Sequence, residues 1–300
     1  MGELPAKLGN KWNDNVNALL EALGWEHIGD KDMDLPGTDD KDHGIDALLI
    51  YENPGKTVCQ TVLVESKHYA KGSLSPSKLK EWIELLRKKQ NQLRASSDLQ
   101  KEFPVLAECS ETNLGVIMCW VHDADEEYLS ETFQNYLENA IIPSAPRTGL
   151  YSRIMVLDNR RIVRLVSMLQ VLVKAKSFCF VYPAGINDNV QTERSKVLTV
   201  EYMMSNIIIA ECQGTKEKNT TVFYFGEMEI PAVETLLSFL SKYQRLDKDR
   251  SVKIYHYEND EDTDNVTKHF KGKDYTNIKF VRMQQLSLNS EPSLNLEEDE

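Results

Sequence analysis

Apolar residues recur at helical spacing between Leu8 and Leu23, at Trp12, Val16, Leu19, Leu20 and Leu23, and Gly24 follows. That pattern predicts an amphipathic helix with one buried face, stopped by a glycine. A polar loop over 30–44 comes next, and then the period changes. IDALLIY and TVCQTVLVESKHY read as two strands joined by ENPGK, a turn composition. A basic helix is predicted over 77–93, a buried strand over 114–121, a helix over 126–141, a strand over 153–157, a helix over 160–173 and a strand over 177–182. Strands alternating with helices imply an α/β sheet with layers on both faces. Residues 183–195 (PAGINDNVQTERS) carry turn-forming and polar residues and read as a linker. After it, MMSNIIIAEC and TTVFYFGEMEI read as a hairpin. A helix over 232–243, a strand VKIYHY, a polar stretch with room for a short helix, and a strand IKFVRM complete a second, smaller α/β unit. The expected domains are therefore 1–185 and 196–285, with an acidic, disordered tail over 286–300.

Composition narrows the class. At 300 residues, 41% hydrophobic and 27% charged, the chain is neither a disordered tail protein nor a disulfide-stapled miniprotein. No run approaches ~18 uninterrupted apolar residues, the amino terminus lacks a signal-peptide layout, and its Met-Gly start has Ala6 where a myristoylation site needs Ser or Thr. A cytoplasmic protein with no membrane partner is expected. Five cysteines at 59, 109, 119, 179 and 212, without a C-x-x-C, are read as buried and reduced, and they assemble no zinc site.

The net charge of -12 argues against nucleic acid only if the charge is evenly spread. Residues 66–101 hold nine bases against three acids, and residues 147–176 hold seven bases against Asp158. Two basic segments could thus face a phosphate backbone, although such faces are more often merely solvated.

The chemistry concentrates between Gly44 and Lys67. Side chains alternate along a strand, so Leu63, Glu65 and Lys67 share one face of the second strand. A hairpin centred between Gly55 and Lys56 pairs position i with position 111 minus i, which sets Asp46 opposite Glu65. Their Cβ atoms would lie ~5 Å apart. At an effective dielectric of ~20, the two carboxylates would repel by roughly 3 kcal/mol. A divalent cation between them turns that repulsion into attraction, and carboxylate oxygens suit Mg²⁺ or Mn²⁺. Lys67, beside Glu65, could stabilise charge building on a phosphoryl group or orient the attacking water.

Gly44-Ile45-Asp46 followed by Val64-Glu65-Ser66-Lys67 resembles the D…(D/E)-x-K signature of the PD-(D/E)XK, restriction-endonuclease-like nucleases. The order of Trp12, Leu19-Leu20, Leu23-Gly24-Trp25, Gly44-Ile45-Asp46, Glu65-Ser66-Lys67 and Tyr69 is similar to the Mrr branch in particular. The likeness covers residues 8–95 by motif and 8–180 by layout. It implies a central mixed sheet flanked by helices. Asp46 and Glu65 would bind the metal, with the main-chain carbonyl of Ser66 as third ligand, and Lys67 would be the catalytic lysine. The implied cofactor is Mg²⁺, with Mn²⁺ as a substitute. Two positions depart from the pattern: Ile45 replaces the usual Pro, and Asn13 stands where Mrr-like helices carry Glu. Asn13, Asn17 and Glu21 lie on one helical stripe, so Glu21 or a neutral amide is expected to serve instead.

The expected function is a metal-dependent DNA endonuclease, regulated as in restriction or antiphage defence. Lys71, Lys78 and Arg87 would contact backbone phosphates. Cutting two strands needs two sites, so a homodimer, or a hetero-oligomer with a partner subunit through the C-terminal domain, is expected. The rival is a non-catalytic nuclease-like subunit that binds nucleic acid or a partner protein as a scaffold; Asn13 feeds that reading. Other constellations are weaker. Asp30, Asp32 and Asp34 echo a calcium loop, but Gly37 is two residues late and Lys41 occupies the twelfth position. His43 and His68 flank the site and could donate to a phosphate, though an exposed loop or strand-end histidine is the plainer reading.

Overall fold

The helical period at the amino terminus becomes α1 (Ala6–Ala22). Gly24 adopts φ 87°, a left-handed conformation that glycine takes without strain, and Trp25 N–H returns to Leu20 O at 3.1 Å. The computed structural model describes residues 6–31, 33–35, 43–54, 59–109, 111–140, 152–186, 189–213, 218–243, 245–246, 251–257, 260–270 and 277–292. Two compact units result: Met1–Val163 with Leu286–Leu294, and Arg164–Gln285 with Asn295–Glu300. The division falls at 163/164, ahead of the expected 185.

In the first unit the chain continues through β1 (Glu26–His27), β2 (Asp34–Leu35), β3 (His43–Gly44), β4 (Ala47–Glu52) and β5 (Cys59–Tyr69). After these come α2 (Pro76–Ala95), α3 (Ser97–Glu102), α4 (Val105–Glu108) and β6 (Glu111–Val121). A π-helical stretch, Tyr128–Phe133, runs into α5 (Gln134–Ala140), followed by β7 (Arg153–Leu157) and α6 (Asn159–Leu172). The mixed sheet has the order β1-β4-β5-β6-β7, antiparallel through β5 and parallel from β5 to β7. β2 and β3 pair with each other in a small ribbon.

Alternation along the central strands sorts the two faces. Leu63 and Tyr69 of β5, with Ile117, Cys119 and Val121 of β6, pack in one core with Leu79, Trp82, Leu86 and Leu93 of α2. Ser75 caps α2 by accepting the Lys78 N–H, and Pro76 occupies its first turn. Gly115 lets α2 approach β6 closely, since a Cβ there would meet Leu86 Cδ2 at 2.8 Å. On the opposite face Trp12 of α1 donates from Nε1 to Met118 O at 3.1 Å and packs on Trp120, ring centroids 5.5 Å apart. Both indoles are 2% exposed or less.

The second unit continues from α6 through β8 (Ser177–Ile186), β9 (Asn189–Ser195), α7 (Val200–Met203), β10 (Ile207–Gln213) and β11 (Lys218–Tyr224). It is completed by α8 (Ile230–Lys242), β12 (Ser251–His256), α9 (Asp260–Phe270) and β13 (Ile278–Arg282). Its sheet runs β13-β12-β11-β10-β8-β9. Val222, Val252 and Ile254 pack under α8 and α9 with Val233, Leu237 and Val266.

Four expectations are corrected. The stretch read as a linker over 183–195 is largely a β-hairpin, β8 with β9, in register from Phe180↔Ser195 to Ile186↔Asn189. An edge strand tolerates that polar composition because its polar groups are held: Arg194 of β9 grips Glu211, and Arg245, 3% exposed, bonds both Glu211 and Thr192. Cys59 and Cys109 form a disulfide, so the cysteines are not all reduced; Cys119, Cys179 and Cys212 are free. Residues 286–292, expected within a disordered tail, pack on the first unit, where Leu288 O accepts from Asn159 Nδ2 at 2.8 Å. His68 is not exposed: it is 9% exposed, stacked on His122, and its Nε2 lies 2.6 Å from Glu291 Oε1. Residues 293–300, the turn at 55–58, the residues Asp32, Gly37 and Lys41, and the His43 side chain lie outside the described residues. Among the described residues no helix is long and apolar enough to cross a membrane.

Candidate active site

The hairpin register decides which side chains meet. Ala47 pairs with Val64 and Leu48 with Leu63, continuing to Glu52 with Cys59, so paired positions always sum to 111. Asp46 leads into β4 one step beyond this ladder and reaches across to β5, where its Oδ2 accepts the Ser66 main-chain N–H. Glu65 and Lys67 lie together on the α2 side, with Lys67 Nζ donating to Glu65 Oε2 at 2.7 Å. The side chains of Glu65 and Lys67 are 9% and 18% exposed. Asp46, Glu65, Ser66 and Lys67 are thus gathered at one point.

A second ammonium group completes the cluster. Lys89 of α2 donates to Glu65 Oε1 and to the Gly44 carbonyl. Lys89 escaped the sequence reading as a site residue, yet the signal was present. The buried stripe of α2 runs through Leu79, Trp82, Leu86 and Leu93, and position 89 falls on it. A lysine on an apolar stripe, three residues after Leu86, asks for an acidic partner, and Glu65 is that partner. The two carboxylates are therefore balanced by two ammonium groups. A divalent cation is not the sole means of reconciling them, contrary to the expectation from the hairpin alone.

The α1 side of the cluster is neutral. Asn13 Oδ1 accepts from Ser66 Oγ and from Asn17 Nδ2, both at 3.2 Å. Asn17 is fully buried, and its own Oδ1 has no hydrogen-bond partner among the described residues. Glu21 is not brought to the site; its exposed carboxylate turns to His27, 3.0 Å away. The proposed phosphate-binding residues lie farther along the chain. Lys71 pairs with Asp125 at 2.7 Å, Lys78 pairs with Glu81 at 3.2 Å, and Arg87 is half-buried on α2. Exposed pairs of this kind add little to stability.

Burial pushes the Asp46 carboxyl above its usual range. Lys67, the Ser66 N–H and Lys89 pull the other way, but the neighbouring Glu65 adds to the rise. For Lys67, burial alone would lower the pKa; the charges of Glu65 and Asp46 outweigh it and raise the value. Lys67 is consequently an ammonium group at neutral pH. It can stabilise negative charge but is a poor base.

The Asp46 shift carries a stability consequence. A carboxyl whose pKa is raised on folding favours the fold when protonated, and that contribution is lost as pH rises through the raised value. Ionised Asp46 therefore costs stability at neutral pH. Asp46→Asn is expected to raise Tm at about pH 7 in the presence of EDTA, with the difference shrinking as pH falls toward the ordinary carboxylate range. Thermal melts at the two pH values check this; a lower Tm for the variant near neutrality would contradict it.

Among the described residues no group of three or more His, Cys, Asp or Glu assembles as a metal site. The donors the hairpin offers are the two carboxylates and the Ser66 carbonyl, all hard oxygens. Such a set suits Mg²⁺, which keeps several waters and takes one or two carboxylates. Burial, the main cause of the raised Asp46 pKa, disfavours its carboxylate, and an ion bound there would offset that cost. The residues present therefore fit a divalent ion, provided that an ammonium group yields an oxygen of Glu65.

No curated protein matches the chain. A family model for the GAPS4 protein PD-(D/E)XK nuclease domain matches residues 1–161, more than half the chain and almost all of the first unit's amino-terminal segment. With the mixed sheet, its flanking helices and the Asp46, Glu65, Lys67 cluster, this match places the chain in the PD-(D/E)XK nuclease-domain family of GAPS4 proteins.

Proposed function

We propose that the first unit is a Mg²⁺-dependent DNA endonuclease, acting in the cytoplasm as a regulated effector of antiphage defence or restriction. The observation that carries this reading is the meeting of Asp46, Glu65 and Lys67 across one β-hairpin, in a chain of a nuclease family. Asp46, Glu65 and the Ser66 carbonyl would hold the ion, which supplies Lewis-acid polarisation of the phosphate and a more acidic water. Lys67 contributes fixed positive charge toward the phosphoryl oxygens. Ser66 N–H and Lys89 set the carboxylates, the one by its bond to Asp46 and the other by its bond to Glu65. The basic side chains Lys71, Lys78 and Arg87 receive backbone phosphates, giving salt-dependent and weakly sequence-selective binding. Two copies, or a copy with a partner subunit engaged through the second unit, would supply two cuts.

Supercoiled plasmid incubated with the full chain tests this. Nicked or linear product is expected with Mg²⁺ or Mn²⁺, none with EDTA and none with Asp46→Ala. Cleavage that persists in Asp46→Ala would overturn the assignment.

A second reading has specific support: Glu65 already carries two lysines, and α1 presents Asn13 rather than an acid. In that reading the ion pairs replace the metal and the unit is a nuclease-like scaffold. Titration with Mn²⁺ separates the two, since the scaffold predicts no binding that depends on Asp46 and Glu65.

A further inference from the structure

The second unit holds a cleft that the nuclease chemistry does not use. Its sheet buries Val222, Val252 and Ile254 beneath α8 and α9. Alternation along β11 and β12 then directs Asn219, Thr221, Lys253 and Tyr255 to the other face. There they line a cavity of about 630 Å³ together with the end of α6 and the residues after it. That volume lies in the range of small-molecule sites, roughly 300–1,000 Å³.

The charge of the cleft is unusual for this chain. Lys174, Lys176, Lys253 and Arg282 all line it, and among the described residues no acid does, in a protein whose net charge is -12. Lys253 sits in register with Lys279 on β13, a like-charge neighbour that a sheet built only for stability would avoid. Lys174, Lys176 and Lys253 have no ion-pair partner among the described residues, whereas Glu211 on the same sheet takes two arginines. Three such lysines around one cleft select a polyanion and reject neutral sugars and acyl chains.

The remaining walls narrow the class. Asn219 and Thr221 offer an amide and a hydroxyl for hydrogen bonding. Tyr255 adds an aromatic ring already stacked on Phe223, centroids 5.5 Å apart with 24° between planes. Phosphate-binding cations, hydrogen-bonding groups and a ring wall around one open cleft match the three parts of a nucleotide. A cleft of this size admits one or two nucleotides. We propose that the cleft binds a phosphate-bearing nucleotide, either free or as the end of a nucleic-acid strand, and that the second unit is in this way a ligand-sensing module. The inference stands on the second unit alone and is independent of the nuclease reading.

Fluorescence anisotropy with the full chain in EDTA tests it while the metal-dependent site is silent. One probe is a fluorescent adenosine triphosphate analogue; the other is a labelled single-stranded 12-mer with a 5′-phosphate. Saturable binding of at least one probe is expected, weakened tenfold or more by Lys253→Glu and restored by Lys253→Arg. Lys242→Glu, an equal charge change on exposed α8, is expected to leave binding within about twofold. Circular dichroism and melting curves confirm that each variant is folded. Binding of the triphosphate identifies a free nucleotide; binding of the 12-mer that vanishes when its 5′-phosphate is replaced by hydroxyl identifies a strand end. Equal losses in Lys253→Glu and Lys242→Glu, or no saturable binding of either probe, would overturn the proposal. Failure of plasmid cleavage would leave this outcome untouched.

Discussion

Lys67→Ala is expected to slow Mg²⁺-dependent plasmid cleavage by about 10²- to 10³-fold, the usual effect of removing one preorganised group that stabilises transition-state charge. The side chain is mostly buried and bonded to Glu65 at 2.7 Å, and the adjoining carboxylates raise its pKa. It is therefore a fixed positive charge, and water entering its place would not reproduce it. Lys67→Arg keeps the charge but spreads it over a planar fork that does not match a point contact, so a partial loss is expected. Lys89→Ala supplies the contrast. Lys89 also binds Glu65, from the helix behind it. Its loss frees one carboxylate oxygen while leaving Lys67 in place, so Mn²⁺ should bind more tightly, by up to about tenfold, as expected when a nearby like charge is removed. Initial nicking rates at saturating Mg²⁺ and a Mn²⁺ titration for both variants provide the measurement. Equal losses in the two variants would show that the lysines are interchangeable neutralisers and that Lys67 has no separate role.

Trp12→Ala is expected to destabilise the first unit by about 3–5 kcal/mol, the range for removing a large buried aromatic. The indole is 2% exposed, packs on Trp120 and donates to Met118 O, so its removal opens a cavity and leaves a strand carbonyl without its donor. Urea unfolding checks the magnitude through the midpoint. Trp12→Phe should cost less, since most of the ring contact persists and the hydrogen bond alone contributes on the order of 1 kcal/mol. The same packing positions Asn13, the next residue, against Ser66. A folded Trp12→Phe protein with weakened cleavage would therefore trace the loss to the α1 side of the site.

The site's geometry was legible because it depends on local rules. A symmetric turn and a period of two were enough to place Asp46 beside β5 and Glu65 next to Lys67. The helices α1, α2 and α6 lie within two residues of their expected ends, since each carries an uninterrupted apolar stripe. Features that depend on distant parts of the chain were not legible. Nothing near Cys59 points to Cys109, 50 residues away. Glu21 shares a stripe with Asn13, but the local pull of His27 turns its carboxylate aside. The polar residues of β9 resemble a linker until Arg245, remote in sequence, is seen to hold Thr192. The likeness to the Mrr branch rested on motif order within 8–95, and the family that matches is that of GAPS4 proteins, which leaves that branch without separate support.

The return of residues 286–292 to the first unit means that this unit is not written as one continuous stretch of chain. A fragment ending at Val163 would lack the Leu288 carbonyl that Asn159 bonds and the Glu291 carboxylate that lies against His68, one residue from Lys67. Burial holds the His68 imidazole below its ordinary pKa despite that carboxylate, which raises it. A substitution at Glu291 would therefore act beside the nuclease motif, although the two lie far apart along the chain.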